Sequence, residues 1–137
     1  MIIRKADNDT EAGKMASEEL VRAMMNYNEE MVKAGVMLGG DGLQPSSRGW
    51  RINFSGGRPT VTDGPFAEAK EMIAGYTMIK VNSREEALEW AKRWPPEDGD
   101  VELELRQVYE VDDLGDGFTP ELKEQEERIR TQAASNV

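Results

Sequence analysis

The sequence predicts an α+β fold, and three observations carry that expectation. Two apolar stripes at helical spacing, one from Leu20 to Val32 and one from Ala87 to Trp94, each lie between strand-like segments, so the order strand-helix-strand occurs twice. Two short strand-like runs, at residues 49–54 and 58–62, are inserted between those halves around the hairpin turn Ser55-Gly56-Gly57. The longest strand-like run, residues 72–81, is apolar on both of its faces.

In chain order, residues 1–6 read as a short strand and residues 7–16 as a polar loop. Ser17 has the chemistry of a helix N-cap, because its hydroxyl can accept from a free N–H of the first turn; Glu18 and Glu19 suit the positive end of the dipole. Leu20, Met24, Tyr27 and Met31, widened by Val21, Met25 and Val32, make the buried stripe. Gly35 stands where a left-handed cap belongs. Residues 36–38 begin a strand that runs into Gly39-Gly40-Asp41-Gly42. No Gly-Lys-Ser/Thr follows, so a bulge or a close backbone approach is expected there rather than a phosphate loop. Pro45-Ser46-Ser47 turns the chain into the hairpin.

In the run at 72–81, Ile73, Thr77, Ile79 and Val81 share one face, and Met72, Ala74, Tyr76 and Met78 the other. A strand apolar on both faces needs two covers. The helices supply one, and a second subunit is expected to supply the other. Ser83-Arg84-Glu85-Glu86 has capping-box spacing, Ala87, Leu88, Ala91 and Trp94 form the next stripe, and Pro95-Pro96 ends that helix. Residues 101–111 alternate, with Val101, Leu103 and Leu105 set against Glu102, Glu104 and Arg106, as a half-buried edge strand does. Thr119-Pro120 opens a last helix whose thin stripe, Leu122, Ile129 and Ala133, makes it peripheral. Two strand-helix-strand halves with both helices on one face is the ferredoxin-like arrangement. Two copies would then make a dimeric α/β barrel, sheet facing sheet across a partly filled interior.

A chain of 137 residues fits one modest core. The expected division is a domain at 1–112 and an acidic helical tail at 113–137. With no cysteine, disulfide and thiolate chemistry are excluded; with no histidine, the usual neutral-pH base and the commonest transition-metal ligand are missing. No apolar run approaches membrane-spanning length, and the first residues lack the order of a signal peptide, so a cytoplasmic protein is expected. Net charge is −10, unevenly placed: residues 1–96 carry 14 acidic and 13 basic side chains, residues 97–137 carry 13 and 4. No basic face is evident for nucleic acid. The acidic segment reads either as a solvated face or as a docking surface for a basic partner. The eight methionines, at helical and strand spacing, read as core filler. Trp50, Trp90 and Trp94 read as packing or dimer-interface residues.

Asp63-Gly64-Pro65-Phe66-Ala67-Glu68-Ala69-Lys70-Glu71 resembles the D-G-P-F-x-E-x-K-E signature of the DGPF branch of the YCII-related family. The likeness extends to Tyr27-Asn28-Glu29-Glu30, Ala34-Gly35-Val36, the Pro45-Ser46-Ser47 turn, Gly75-Tyr76 and Ser83-Arg84-Glu85-Glu86-Ala87, and covers about residues 1–112. It implies a small bacterial protein with a ferredoxin-like domain in a dimeric barrel, from a family mostly without assigned activity. Some members are fused to, or encoded beside, extracytoplasmic-function sigma factors. Ala69 departs from the threonine common in the signature. A histidine–aspartate pair proposed for the wider family cannot be carried over to a chain without histidine.

Gly64 admits backbone angles closed to other residues and Pro65 fixes the next one, so the turn holds Asp63 and Phe66 in one orientation. At the rim of a barrel interior, Asp63 and Glu68 could serve as an acid/base pair, with Lys70 stabilising an anion. Arg48 or Arg51 could clamp a ligand carboxylate, while Phe66 and Tyr76 supply an apolar wall. Asp41, Asp63 and Glu68 could meet around a hard cation, although no spacing requires it, and no metal or cofactor is expected. The alternative is that Asp-Gly-Pro is a turn for local reasons and its charges are solvated. Two functions stay open: a dimeric small-molecule-binding protein or enzyme, and a non-catalytic interaction module that assists a sigma factor through the acidic 97–137 segment.

Overall fold

The first long helix shows how local chemistry sets the architecture. Ser17 caps it as expected, its hydroxyl accepting from the Leu20 N–H at 3.1 Å. Gly35, at φ +71°, closes the other end. There the Gly35 N–H donates to the Val32 carbonyl and the Val36 N–H to the Met31 carbonyl, at 3.0 and 2.9 Å. That pair of reversed bonds satisfies two orphan carbonyls and turns the chain sharply into the next strand.

The computed structural model describes every residue from Met1 to Val137. Its strands are β1 (Ile2–Lys5), β2 (Met37–Gly42), β3 (Trp50–Ser55), β4 (Arg58–Asp63), β5 (Ile73–Ile79) and β6 (Leu103–Leu105). Its helices are α1 (Asn8–Glu11), α2 (Glu18–Lys33), α3 (Arg84–Lys92) and α4 (Pro120–Ala134). None is long and apolar enough to cross a membrane. Two compact units are present, Met1–Arg106 and Gln107–Val137.

In the first unit, β2, β5, β1 and β6 form one sheet in that order, and every neighbouring pair is antiparallel. The hairpin β3–β4 forms a separate two-stranded sheet. Tyr27, Met31 and Val36 are buried, packed against Met24, Met37, Ile79, Val81, Trp90 and Trp94. The faces that carry Ile79 and Met37 therefore receive both α2 and α3. The Tyr27 hydroxyl donates to the Trp90 carbonyl at 2.7 Å, and the Tyr27 and Trp94 rings meet edge to face, which ties the two helices together. Burying each of these large side chains contributes about 1.5–3 kcal/mol.

The same face of the sheet holds Ile2, Thr77 and Arg4, all buried. Arg4 is fully paired: Nε and Nη2 donate to both oxygens of Asp98 at 3.1 and 2.9 Å, and Nη1 donates to Asp7 and to the Lys5 carbonyl. Trp94 Nε1 also donates to Asp98, at 2.8 Å. The hub joins β1 to the chain after α3, and the bond to Asp98 holds Arg4 above its ordinary pKa.

On β5, Gly75 and Thr77 are buried, whereas Ala74, Tyr76 and Met78, on the other face, are only half-buried. The two-faced strand is thus present, with one cover supplied by α2 and α3.

Three expectations need correction. Residues 7–16 are not all loop: Asp7 and Thr10 form a reciprocal capping box that starts α1, a pattern hidden by its Thr at the position usually held by Glu or Gln. The edge strand expected over 101–111 shrinks to Leu103–Leu105, because it pairs with β1, which offers only four residues. Glu86 reaches back to the Asn82 N–H, one residue earlier than the cap itself.

In the second unit, Thr119 caps α4 by accepting from the Leu122 N–H at 3.4 Å, with Pro120 at the first helical position. No residue of α4 is buried.

Candidate functional site

The 63–71 turn is built by backbone contacts with the segment that precedes the hairpin. The Gly64 N–H donates to the Gly49 carbonyl at 3.0 Å. A Cβ on Gly64 would lie 1.7 Å from the Ser46 carbonyl oxygen, so only a hydrogen fits there. The Gly64–Pro65 peptide is cis. The Phe66 N–H donates to Ser46 Oγ at 3.0 Å. Ser46 in turn gives both its protons to one carboxylate: its hydroxyl donates to Glu11 Oε2 at 2.5 Å and its N–H to Glu11 Oε1 at 3.1 Å. The Arg51 guanidinium carbon stands 4.0 Å from the centre of the Phe66 ring, a cation–π contact worth about 0.5–1 kcal/mol at an exposed site. After a single 3₁₀ turn, Ala69–Glu71, the chain enters β5.

Pro45-Ser46-Ser47 and Asp63-Gly64-Pro65-Phe66 therefore lie against each other, pinned by Glu11. Sequence reasoning missed Glu11. It lies 35 residues from Ser46, and nothing in its neighbourhood marks one acidic residue of a polar segment as the anchor.

The charged side chains of the turn stand differently. Asp63, Glu68, Lys70 and Glu71 are exposed. None of the ion pairs within 4.0 Å includes Asp63, Glu68 or Lys70. Arg48 is exposed beside the turn, and Arg51 is engaged by Phe66. Nor do Asp41, Asp63 and Glu68 converge on a common point, and no group of three or more acidic side chains is placed to hold a metal ion.

Tyr76 is brought to a different partner. On the sheet face turned away from α2 and α3, Asp41, Tyr76, Ile3 and Glu104 are register neighbours across β2, β5, β1 and β6. The Tyr76 hydroxyl donates to Asp41 Oδ2 at 2.9 Å. That bond, and the carboxylate charge, push the phenol above its ordinary pKa, so it stays a proton donor. Gly40 explains the glycine run beside it. A Cβ there would fall 2.6 Å from the Tyr76 carbonyl oxygen, so the close approach expected for this segment is to β5. Two surface grooves lie elsewhere. One of about 460 Å³ lies along Glu18, Arg22, Asn26 and Glu97, and one of about 620 Å³ follows the Glu124–Ser135 side of α4.

A family model described as the YCII-related domain matches residues 1–112. An uncharacterised protein of Rhizobium meliloti is 30% identical over 104 residues, covering 74% of this chain and 84% of the relative.

Proposed function

Because the chain belongs to the YCII-related family, we propose that it works as a homodimer of ferredoxin-like domains, of the DGPF branch, and binds a small molecule between its two sheets. The sheet order β2-β5-β1-β6, antiparallel throughout and with α2 and α3 on one face, supports that arrangement. The observation that carries the reading is the row Asp41–Tyr76–Ile3–Glu104 on the other face. It offers a ligand an oriented phenol, an acidic group at each end and an apolar middle, which suits a small molecule rich in hydrogen-bond donors. The 63–71 turn closes one end, with Asp63 and Glu68 as acid and base, Lys70 and Arg48 or Arg51 facing an anionic group, and Phe66 as wall.

A thermal-shift screen of metabolites against the wild type, Asp63→Asn and Tyr76→Phe, with the oligomeric state read by sedimentation, tests this. A dimer stabilised by a compound that Tyr76→Phe no longer answers is the expected result. Hits that shift all three proteins equally would remove the site from this face.

A second reading has one observation in its favour. The Gln107–Val137 unit exposes Leu114, Leu122 and Ile129 among Asp112, Asp113, Glu121, Glu124 and Glu127. In that reading the chain is a non-catalytic accessory to a basic protein, a sigma factor of the extracytoplasmic-function class. Charge reversal at Glu121, Glu124, Glu126 and Glu127 abolishes partner binding and leaves any metabolite response intact. Both readings have the protein work in the cytoplasm.

A further inference from the structure

We infer that the candidate site of the 63–71 turn is built in two parts, one fixed and one movable. Residues 6–11 act as a strap that pins Phe66 and Met72, and the span between them, which carries Glu68 and Lys70, moves against Asp63. From the reading above the inference takes only that this turn is a site; the strap and the span stand on hydrogen bonds.

The start of the strap holds the far end of the turn. There the Ala6 N–H donates to the Met72 carbonyl at 2.9 Å, where the chain leaves its 3₁₀ turn for β5. The end of the strap holds the near end. Glu11 accepts from the Ser46 hydroxyl and N–H at 2.5 and 3.1 Å, and Ser46 Oγ accepts from the Phe66 N–H at 3.0 Å. Bonds to an ionised acceptor are stronger than neutral ones. The Gly64–Gly49 bond and the Arg51 guanidinium over the Phe66 ring fix the same end to the β3–β4 ribbon.

A helix as short as α1 does not hold its place unaided, so the strap depends on its own anchor. Asp7 supplies it with one carboxylate: Oδ1 accepts from the Thr10 N–H at 2.8 Å, and Oδ2 from Arg4 Nη1 at 3.0 Å. Arg4 is buried and gripped by Asp98. The Glu11 N–H donates to the Asp7 carbonyl at 3.0 Å. The residue that grips Ser46 therefore sits one helical turn from the residue that grips Arg4, and the strap ties the turn to the interior of the sheet.

No such tie reaches residues 67–71. Their hydrogen bonds are local: the Glu71 N–H donates to the Glu68 carbonyl at 3.0 Å, and the Met72 N–H to the Ala69 carbonyl at 3.1 Å. The amides of Ala67, Glu68, Ala69 and Lys70 have no acceptor. The side chains of Glu68, Lys70 and Glu71 are exposed and make no ion pair. Exposed backbone with few outside bonds is where local opening concentrates. Asp63, Phe66 and Arg51 thus form the fixed part of the site, and Glu68 and Lys70 the movable part. Phe66 and Met72 are the hinge points, so the separation of Lys70 from Asp63 is set by what occupies the site rather than by the fold.

Backbone amide relaxation by NMR and native-state amide exchange, both on the unliganded full chain, test this. Order parameters of about 0.85 at Phe66 and Met72, falling below about 0.6 across residues 67–70, are the expected result. Glu11→Ala is expected to extend the low values to Phe66 and to speed exchange of its amide about tenfold. The Leu43 amide, bonded to the Ala74 carbonyl across the sheet, is the control and keeps its rate. Ser46→Ala removes the acceptor itself, and adding Glu11→Ala to it speeds the Phe66 amide no further, because both cut one connection. Glu11→Gln keeps one accepting oxygen; it stands in if Glu11→Ala fails to fold, with a smaller acceleration at the same amide. Uniform order parameters from 63 to 72 overturn the movable part. An unchanged Phe66 rate in Glu11→Ala overturns the strap, and so does equal acceleration at Phe66 and Leu43, which would make Glu11 a general support of the fold. None of these outcomes depends on a ligand, so each is separate from the thermal-shift screen that tests the site itself.

Discussion

Gly64→Ala is the sharpest probe of how the signature turn is held. The new methyl group would start 1.7 Å from the Ser46 carbonyl oxygen and 2.6 Å from its carbon. Both are backbone atoms, so no side-chain rotation relieves the clash. If the turn stays in place, overpacking costs about 1–3 kcal/mol. If it moves away, it loses the Gly64–Gly49 and Phe66–Ser46 hydrogen bonds, worth about 0.5–1.5 kcal/mol each. Both routes converge on about 1–3 kcal/mol, a fall of about 5- to 150-fold in the hydrogen-exchange protection of the Phe66 amide. Gly42→Ala is the matched control, since a Cβ there meets nothing within 4 Å. Native-state exchange followed residue by residue separates the outcomes. If Gly64→Ala protects Phe66 as well as the control does, the turn is not held by Ser46, and its glycine serves some other purpose.

Other expectations can be checked alongside. Asp98→Ala should lower stability by about 1–3 kcal/mol in urea denaturation, because it leaves Nε and Nη2 of Arg4 and the indole N–H of Trp94 without their acceptor while Nη1 keeps Asp7. Asp41→Asn should bring the Tyr76 phenol titration back down toward the ordinary tyrosine range, read by ultraviolet absorbance, since the bond to Asp41 is what raises it. Asp7 is held below its ordinary pKa, first by the Thr10 backbone N–H and then by Arg4 against some desolvation. Its contribution is therefore complete above the unfolded carboxylate pKa of about 4 and fades as the pH falls below that. Asp7→Asn should flatten this part of the acid limb in thermal denaturation, and an unchanged slope would remove Asp7 from the account.

The three longer helices, α2, α3 and α4, and most strands were legible because their signals are local. Ser17, Gly35, Ser83 and Thr119 each state a helix end in one residue, and the double-sided apolar pattern of 72–81 anticipated the middle strand β5. The hairpin was legible for the same reason, from Ser55-Gly56-Gly57 and its flanks. The site was not, because its contacts are distant in sequence. Glu11 meets Ser46 across 35 residues, and Ser46 meets Phe66 across 20. Asp41 meets Tyr76 only because β2 lies beside β5 in a register that hydrophobic alternation alone does not specify. The charged residues singled out as a group, Asp63, Glu68 and Lys70, share a stretch of sequence without sharing a contact in the single chain.

The placement of the three indoles gives the molecule its own optical reporters. Trp94 lies against the Tyr27 ring and donates to Asp98, Trp90 sits beneath the Arg93 guanidinium, and Trp50 faces outward from the ribbon. Emission from the first two follows the seam between the long helices, while emission from the third follows whatever approaches the arm. Loosening of the helical seam and a change around the hairpin would thus alter different parts of the emission, without any added dye.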